Sequence, residues 1–225
     1  MRNKKVMAIV LAGIAVMGTM VCFAAAEEGA TRVVTDVFGR EVEIPEEVDN
    51  CVALGSAARL IVYAGGTEKI IGCTEMELRG DPGMPFAYAN KDFFANCEAM
   101  ASGGSGNADY AEAIVALDPD VIFYQDSDPV AMEDLAAKTG IPVIGVYGDA
   151  FNSHYLTDSI SLIGDVLGTE EHAKNVSDAI TGWVEELDTL TKDIPDEEKP
   201  TVYPGAVSWN GGHGFTGTYV NYAPL

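Results

Sequence analysis

Four short, uninterrupted apolar runs constrain this chain more than any other feature: residues 50–54, 69–73, 120–124 and 142–147. A strand buried on one face alternates apolar and polar residues, whereas one covered on both faces does not. Between and after these runs lie stretches with helical spacing, at 57–64, 110–116, 130–138 and 155–167. Strands and helices alternating at this length build crossover units, and so predict an α/β fold with a doubly wound, mostly parallel sheet. Ligands of such sheets sit beyond the carboxyl ends of the strands, which directs attention to the loops leaving each run. Ahead of the sheet, residues 32–37 and 40–44 alternate in polarity around Phe38 and Gly39, as a small half-exposed hairpin does.

Gly168 reads as a helix stop and Thr169 as the next N-cap, with Glu170 and Glu171 in a first turn that favours anions. A long helix follows to about residue 193. Its Val176, Ile180, Trp183, Val184, Leu187 and Leu190 fall on one face, which predicts burial along about 30 Å. Residues 193–199 form a polar linker, and Thr201, Val202 and Tyr203 begin another strand. The alternation then stops. Residues 200–225 are too few to bury a second core, so they read as the start of a truncated second domain.

The amino terminus has its own logic. Arg2, Lys4 and Lys5 precede an uncharged stretch, 6–26, that closes on Ala24-Ala25-Ala26 in the small-x-small form of a cleavage site. Residues 1–26 are therefore expected to be an export signal, the alternative being a retained membrane anchor. The whole chain holds 13 basic and 35 acidic residues, for a net charge of −22. Losing the three basic residues of the signal leaves 10 against 35, or −25. Such a field disfavours nucleic-acid partners. Cys51, Cys73 and Cys97 lack CxxC spacing, which argues against zinc and against a dense disulfide framework.

Several motifs in a fixed order carry a resemblance. Asp36-x-x-Gly39-Arg40-Glu41-Val42-x-Ile44-Pro45 is followed by Val52-Ala53-Leu54-Gly55, by Ile70-Ile71-Gly72, and by Glu112-Ala113-Ile114-Val115-Ala116-Leu117-Asp118-Pro119-Asp120. Together they resemble the iron-complex and cobalamin class of ABC-importer substrate-binding proteins. The resemblance implies two α/β lobes joined by one rigid helix, with ligand in the cleft between them. Residues 31–168 then correspond to the N-terminal lobe of a class III periplasmic binding protein, 169–193 to the connector helix, and 200–225 to the start of an incomplete C-terminal lobe. It also implies that Glu112 is the exposed carboxylate that docks on arginines of the ABC permease.

On this reading the cleft is lined by the loops 55–56, 74–90, 102–107, 125–128 and 147–152. Ser56, at a strand end and helix start, is a candidate for backbone N–H donation or simply an N-cap. Arg79, Phe86 and Tyr88 lie in the longest connection. Arginine suits a carboxylate or catecholate and an aromatic ring suits a planar chelate, though surface and packing roles remain open. Ser105 sits in the Gly-rich stretch 102–107, where small residues admit a bulky ligand or merely make a turn. Tyr147 leads the last of these loops. Residues 212–217 match GxGxxG, but no good helix follows, so a nucleotide site is disfavoured. From the second lobe, Trp209, His213, Tyr219 and Tyr222 are candidate contacts, His213 as a ligand to chelated iron or as a hydrogen-bonded loop residue.

Two classes of function follow. The first is a non-catalytic exported protein, in the periplasm or on the outer face of the cytoplasmic membrane. It captures an iron chelate (siderophore or haem) or a corrinoid and delivers it to an ABC permease. The second is an exported α/β hydrolase or metal-dependent enzyme. Three histidines outside any HExxH, and no nucleophile elbow, disfavour the second. No catalytic residue, resident metal or cofactor is expected. An inactive incomplete product is the third outcome.

Overall fold

Hydrogen bonding between the apolar runs sets the architecture. The computed structural model describes residues 29–103, 110–148, 154–207 and 214–218. The expected export signal at 1–26, and Ser105, Trp209, His213, Tyr219 and Tyr222, lie outside the described residues. A hairpin of β1 (Thr31–Thr35) and β2 (Glu41–Pro45) comes first. Five strands then form one sheet: β3 (Cys51–Leu54), β4 (Ile70–Thr74), β5 (Glu98–Ala101), β6 (Val121–Gln125) and β7 (Val143–Val146). Their order is β5-β4-β3-β6-β7 and every pairing is parallel. The doubly wound α/β expectation holds.

Helices cover both faces. On one side α1 (Ala57–Tyr63), α3 (Pro85–Ala89), α4 (Lys91–Phe94) and α7 (Tyr155–Leu167) meet Cys51, Ala53, Cys73, Phe123 and Ile144. On the other, α5 (Ala111–Leu117) and α6 (Pro129–Thr139) meet Val52, Leu54, Ile122 and Val143. Consecutive residues of β3 thus serve opposite cores, which is why the run shows no alternation. Each large side chain so buried, Leu60 or Ile122 for example, contributes about 1.5–3 kcal/mol. Crossovers from β3 to β5 use the first face and those from β5 to β7 the second, so the winding reverses between β3 and β6.

Local chemistry places the ends. Asp128 accepts from Val130 N–H at 2.9 Å to start α6, Pro129 opens it, and Gly140 in the left-handed region (φ 73°) closes it. Gly168 (φ 69°) ends α7 in the same way, and α8 (Glu170–Thr191) folds back on it. Gly164 and Ala173 make that close approach, with Ser161 and Ser177 hydroxyls 3.4 Å apart. Asp36, almost fully buried, holds the hairpin: it accepts from Phe38 and Arg40 N–H, pairs with the Arg40 guanidinium at 2.6 Å, and accepts from Gly145 N–H of β7 at 3.1 Å. The free edge of β7 is thereby covered.

Four expectations change. The connection 74–90 contains α2 (Glu75–Leu78) and α3, and α4 follows it, so it is not an open loop. The edge strand β5 was not foreseen, since four residues beginning with a glutamate carry little strand signal. Residues 201–203 are not a strand: no partner among the described residues supplies a ladder. On α8 only the first half of the apolar stripe is covered. Val176 and Ile180 pack on the core, while Trp183, Val184, Leu187 and Leu190 are more than half exposed. Ser177 already lies beside Thr157 near the start of α7, so the 22-residue α8 outruns its 13-residue neighbour.

Candidate functional site

An all-parallel sheet sends the carboxyl ends of its strands to one edge. Gly55 and Ser56 leave β3 there, Thr74 ends β4, Ser102 and Gly103 leave β5, Asp126 follows β6, and Tyr147 and Gly148 leave β7. The winding reverses between β3 and β6, and at such a switch point two neighbouring loops diverge and leave a crevice. The backbone there is tightly specified. Gly55 adopts φ 64°, and a Cβ on it would overlap the Gln125 carbonyl oxygen, so glycine is required on two counts.

Arg59 enters this crevice from α1. Its Nη2 donates to the Gly148 carbonyl at 3.1 Å, while its buried Nε–H has no partner among the described residues. Gln125 Oε1, also buried, has none either. Both groups crowd Gly148: a Cβ there would strike Arg59 Nη2 and lie 3.2 Å from Gln125 Oε1. The other described arginines all have carboxylates, Arg32 with Asp165 at 2.8 Å, Arg40 with Asp36 at 2.6 Å and Arg79 with Glu75 at 3.9 Å. Sequence reading missed Arg59; Gln125 opens the expected cleft loop 125–128 but was not singled out as a contact. An arginine three residues into a helix looks like any solvated position, and only its orphaned Nε beside Gln125 marks it.

The expected contacts divide. Ser56 is exposed at the N-cap position of α1 and makes no capping hydrogen bond. Tyr147 is half-buried, with its backbone N–H and carbonyl bonded to Ser159 Oγ at 2.8 and 2.9 Å. Its ring meets Phe38 and Tyr155 edge-on at 6.4 and 5.8 Å. These two residues flank the glycines that enclose Arg59 and Gln125. Arg79 and Tyr88 are instead engaged within their own segment, Arg79 with Glu75 and Tyr88 under the Lys91 ammonium at 5.4 Å. Glu112 stands exposed in the first turn of α5.

Two further acidic groups border this edge. Glu77 is buried beneath the end of β4, where burial raises its pKa and the hydroxyl of Thr74, hydrogen-bonded to it, partly offsets that. Tyr110 donates to Glu75 at 2.9 Å, which raises the phenol pKa. The described residues hold no group of three or more histidine, cysteine, aspartate or glutamate side chains set for a metal ion. A concavity of about 480 Å³ lies at the opposite edge, beside the amino ends of β3 and β4, but its cations are engaged: Arg32 with Asp165, and Lys69 Nζ with the Val48 carbonyl.

Comparison with known proteins agrees with the fold. Residues 52–222 match the family described as periplasmic binding protein. The molybdate-binding protein MolA of Haemophilus influenzae is 27% identical over 118 residues, 52% of this chain and 32% of MolA. The structure of MolA bound to molybdate superposes with a TM-score of 0.61 at 20% identity, covering 74% of this chain and 56% of that one. The TroA-like periplasmic binding protein FepB from Veillonella parvula gives a TM-score of 0.59 at 28% identity, with 76% and 52% covered. The haem-binding protein HmuT gives 0.50 at 20% identity, with 75% and 51% covered. The chain thus spans about a third of the length of MolA in the sequence match and about half of the matched structures. These relatives are binding proteins rather than enzymes, and they are more varied in cargo than the iron and cobalamin class that the motifs resemble.

Proposed function

The chain belongs to the periplasmic binding protein family, and from that premise we propose that it is the exported solute-capturing component of an ABC importer, taking an iron chelate (siderophore or haem) or a corrinoid. It is a binding protein, not an enzyme. In this reading 1–26 is the export signal, 31–168 forms one lobe, 169–193 is the connector and 200–225 begins the second lobe. Ligand lies against the carboxyl edge of the sheet, with Ser56 and Tyr147 beside it and Arg79 and Tyr88 farther along the rim. Ser105, Trp209, His213 and Tyr219 belong to the same proposal on sequence grounds, and Glu112 meets the permease.

One observation carries this reading most directly: the switch-point crevice holds polar groups with unused hydrogen-bonding capacity, on a scaffold whose relatives bind solutes. The exposed stripe from Trp183 to Leu190 supports the connector role, since it offers an apolar surface beyond the first lobe. Lobe closure on a stiff helix would hold the cargo with modest hinge motion. The test is a titration of intrinsic tryptophan fluorescence with a ferric siderophore, haem, cyanocobalamin and molybdate. Saturable change with one of the first three is expected. No response to any probe, or turnover on ester and phosphoester panels, would overturn the proposal.

A further inference from the structure

We propose that the cargo presents anionic oxygen atoms to this protein and that Arg59, steered by Gln125 and Gly148, is the counter-charge that selects it; the inference rests on the binding-protein reading above. In a chain with 35 acidic against 13 basic residues, carboxylate partners for a cation are abundant. The other described arginines have found one. Arg59 is half-buried and, among the described residues, has only a neutral carbonyl. A guanidinium partly withdrawn from water, with its Nε–H buried and unpaired among the described residues, is a costly arrangement, and it is tolerable where a ligand completes it.

The surroundings exclude the ordinary explanations. Gly148 keeps the space beside Nη2 clear, since any side chain there would collide with the guanidinium. Gln125 Oε1 has no donor among the described residues, and a neutral amide, even where it accepts from Arg59, leaves the charge uncompensated. An oxyanion accepts from the guanidinium and compensates its charge together, because the planar fork matches two oxygens of one anionic group. The same chemistry is offered by a tetrahedral metal oxyanion, by catecholate oxygens around ferric iron, and by haem propionates. The net negative charge of the chain does not forbid this, since it is screened beyond about 8 Å at physiological salt.

Calorimetric titration of the full chain decides it, with molybdate, a ferric tris-catecholate and haem as anionic probes, and cyanocobalamin and cationic ferrioxamine B as controls. An anionic probe should bind, and which one binds identifies the source of the oxygens. Arg59→Gln should weaken that binding by about tenfold or more, with Arg59→Lys in between, and added salt should weaken it in the wild type. Gln125→Glu places an internal carboxylate beside Arg59, and should abolish anion binding while raising Tm, which decides the matter even if Arg59→Gln folds poorly. Binding of a control probe alone by the wild type overturns the inference but leaves the binding-protein reading intact. So does anion binding unchanged in Arg59→Gln or Gln125→Glu. No binding of any probe by the wild type overturns both.

Discussion

The two edges of the sheet are built from similar residues and finished differently. At the amino edge Asp120 accepts from Asp49 and Asn50 N–H at 2.8 and 3.0 Å, and Asn50 Oδ1 answers by accepting from Asp120 N–H at 3.1 Å. Arg32 and Lys69 are likewise engaged, and Thr169 Oγ1 is the buried group left over. At the carboxyl edge a left-handed glycine stands with an arginine that has no carboxylate and a glutamine oxygen that has no donor among the described residues. A satisfied network adds rigidity, while unused polar capacity costs stability and is retained where something else supplies the partner. One edge is therefore satisfied within the domain, and the other keeps the polar capacity that the proposed ligand would use.

The sharpest way to break this contrast is at Gly55. Gly55→Ala adds a Cβ against the Gln125 carbonyl in a backbone region that disfavours it, and should cost about 3 kcal/mol by urea denaturation. Survival of full stability would mean the crevice is not tightly specified. Asp120→Ala should cost about 1 kcal/mol, mainly by removing the acceptor of the half-buried Asn50 N–H, and leave ligand affinity unchanged. An affinity loss there would blur the division between the edges.

Smaller effects sharpen it. Burial raises the pKa of Glu77 above its ordinary 4.5, so the folded state holds a proton that the unfolded state releases. Stability from this proton is fully present below 4.5 and is lost as pH rises through the folded value. Glu77→Gln should therefore flatten the pH dependence and become the more stable form toward neutral pH, as denaturation curves across that window would show. The thiols should differ without any change in fold. Burial raises the pKa of Cys51, and a hydrogen bond between Cys73 and Cys97, together with burial of Cys73, raises Cys73 while lowering Cys97. Cys97 should then react first with a thiol reagent in the native state, and prompt labelling of Cys51 would contradict its burial.

Much of the scaffold was legible beforehand. The four apolar runs became β3, β4, β6 and β7, and the stretch 155–167 became α7 with the same limits. Gly168 stops a helix because its left-handed backbone is a local property of glycine. The segment 75–94 was less legible, since helices of four or five residues carry too little periodicity to register. The stripe on α8 was read correctly as amphipathic but its covering was not, because its neighbour is shorter than the helix itself.

The candidate site divides along the same line. Gly55, Ser56 and Tyr147 follow apolar runs, so the loops that carry them were identifiable from periodicity and turn residues, which act between neighbours in the chain. Arg59, Gln125 and Gly148 come from three separate crossover units, and no pattern within any one of them announces the others. Strand order brought them together and burial left them unpaired. The α/β class and the edge to search were thus determined by the sequence by itself, because they arise from short-range periodicity. The identity of the uncompensated charge was decided only by tertiary packing, because desolvation and missing partners exist only once distant segments have met.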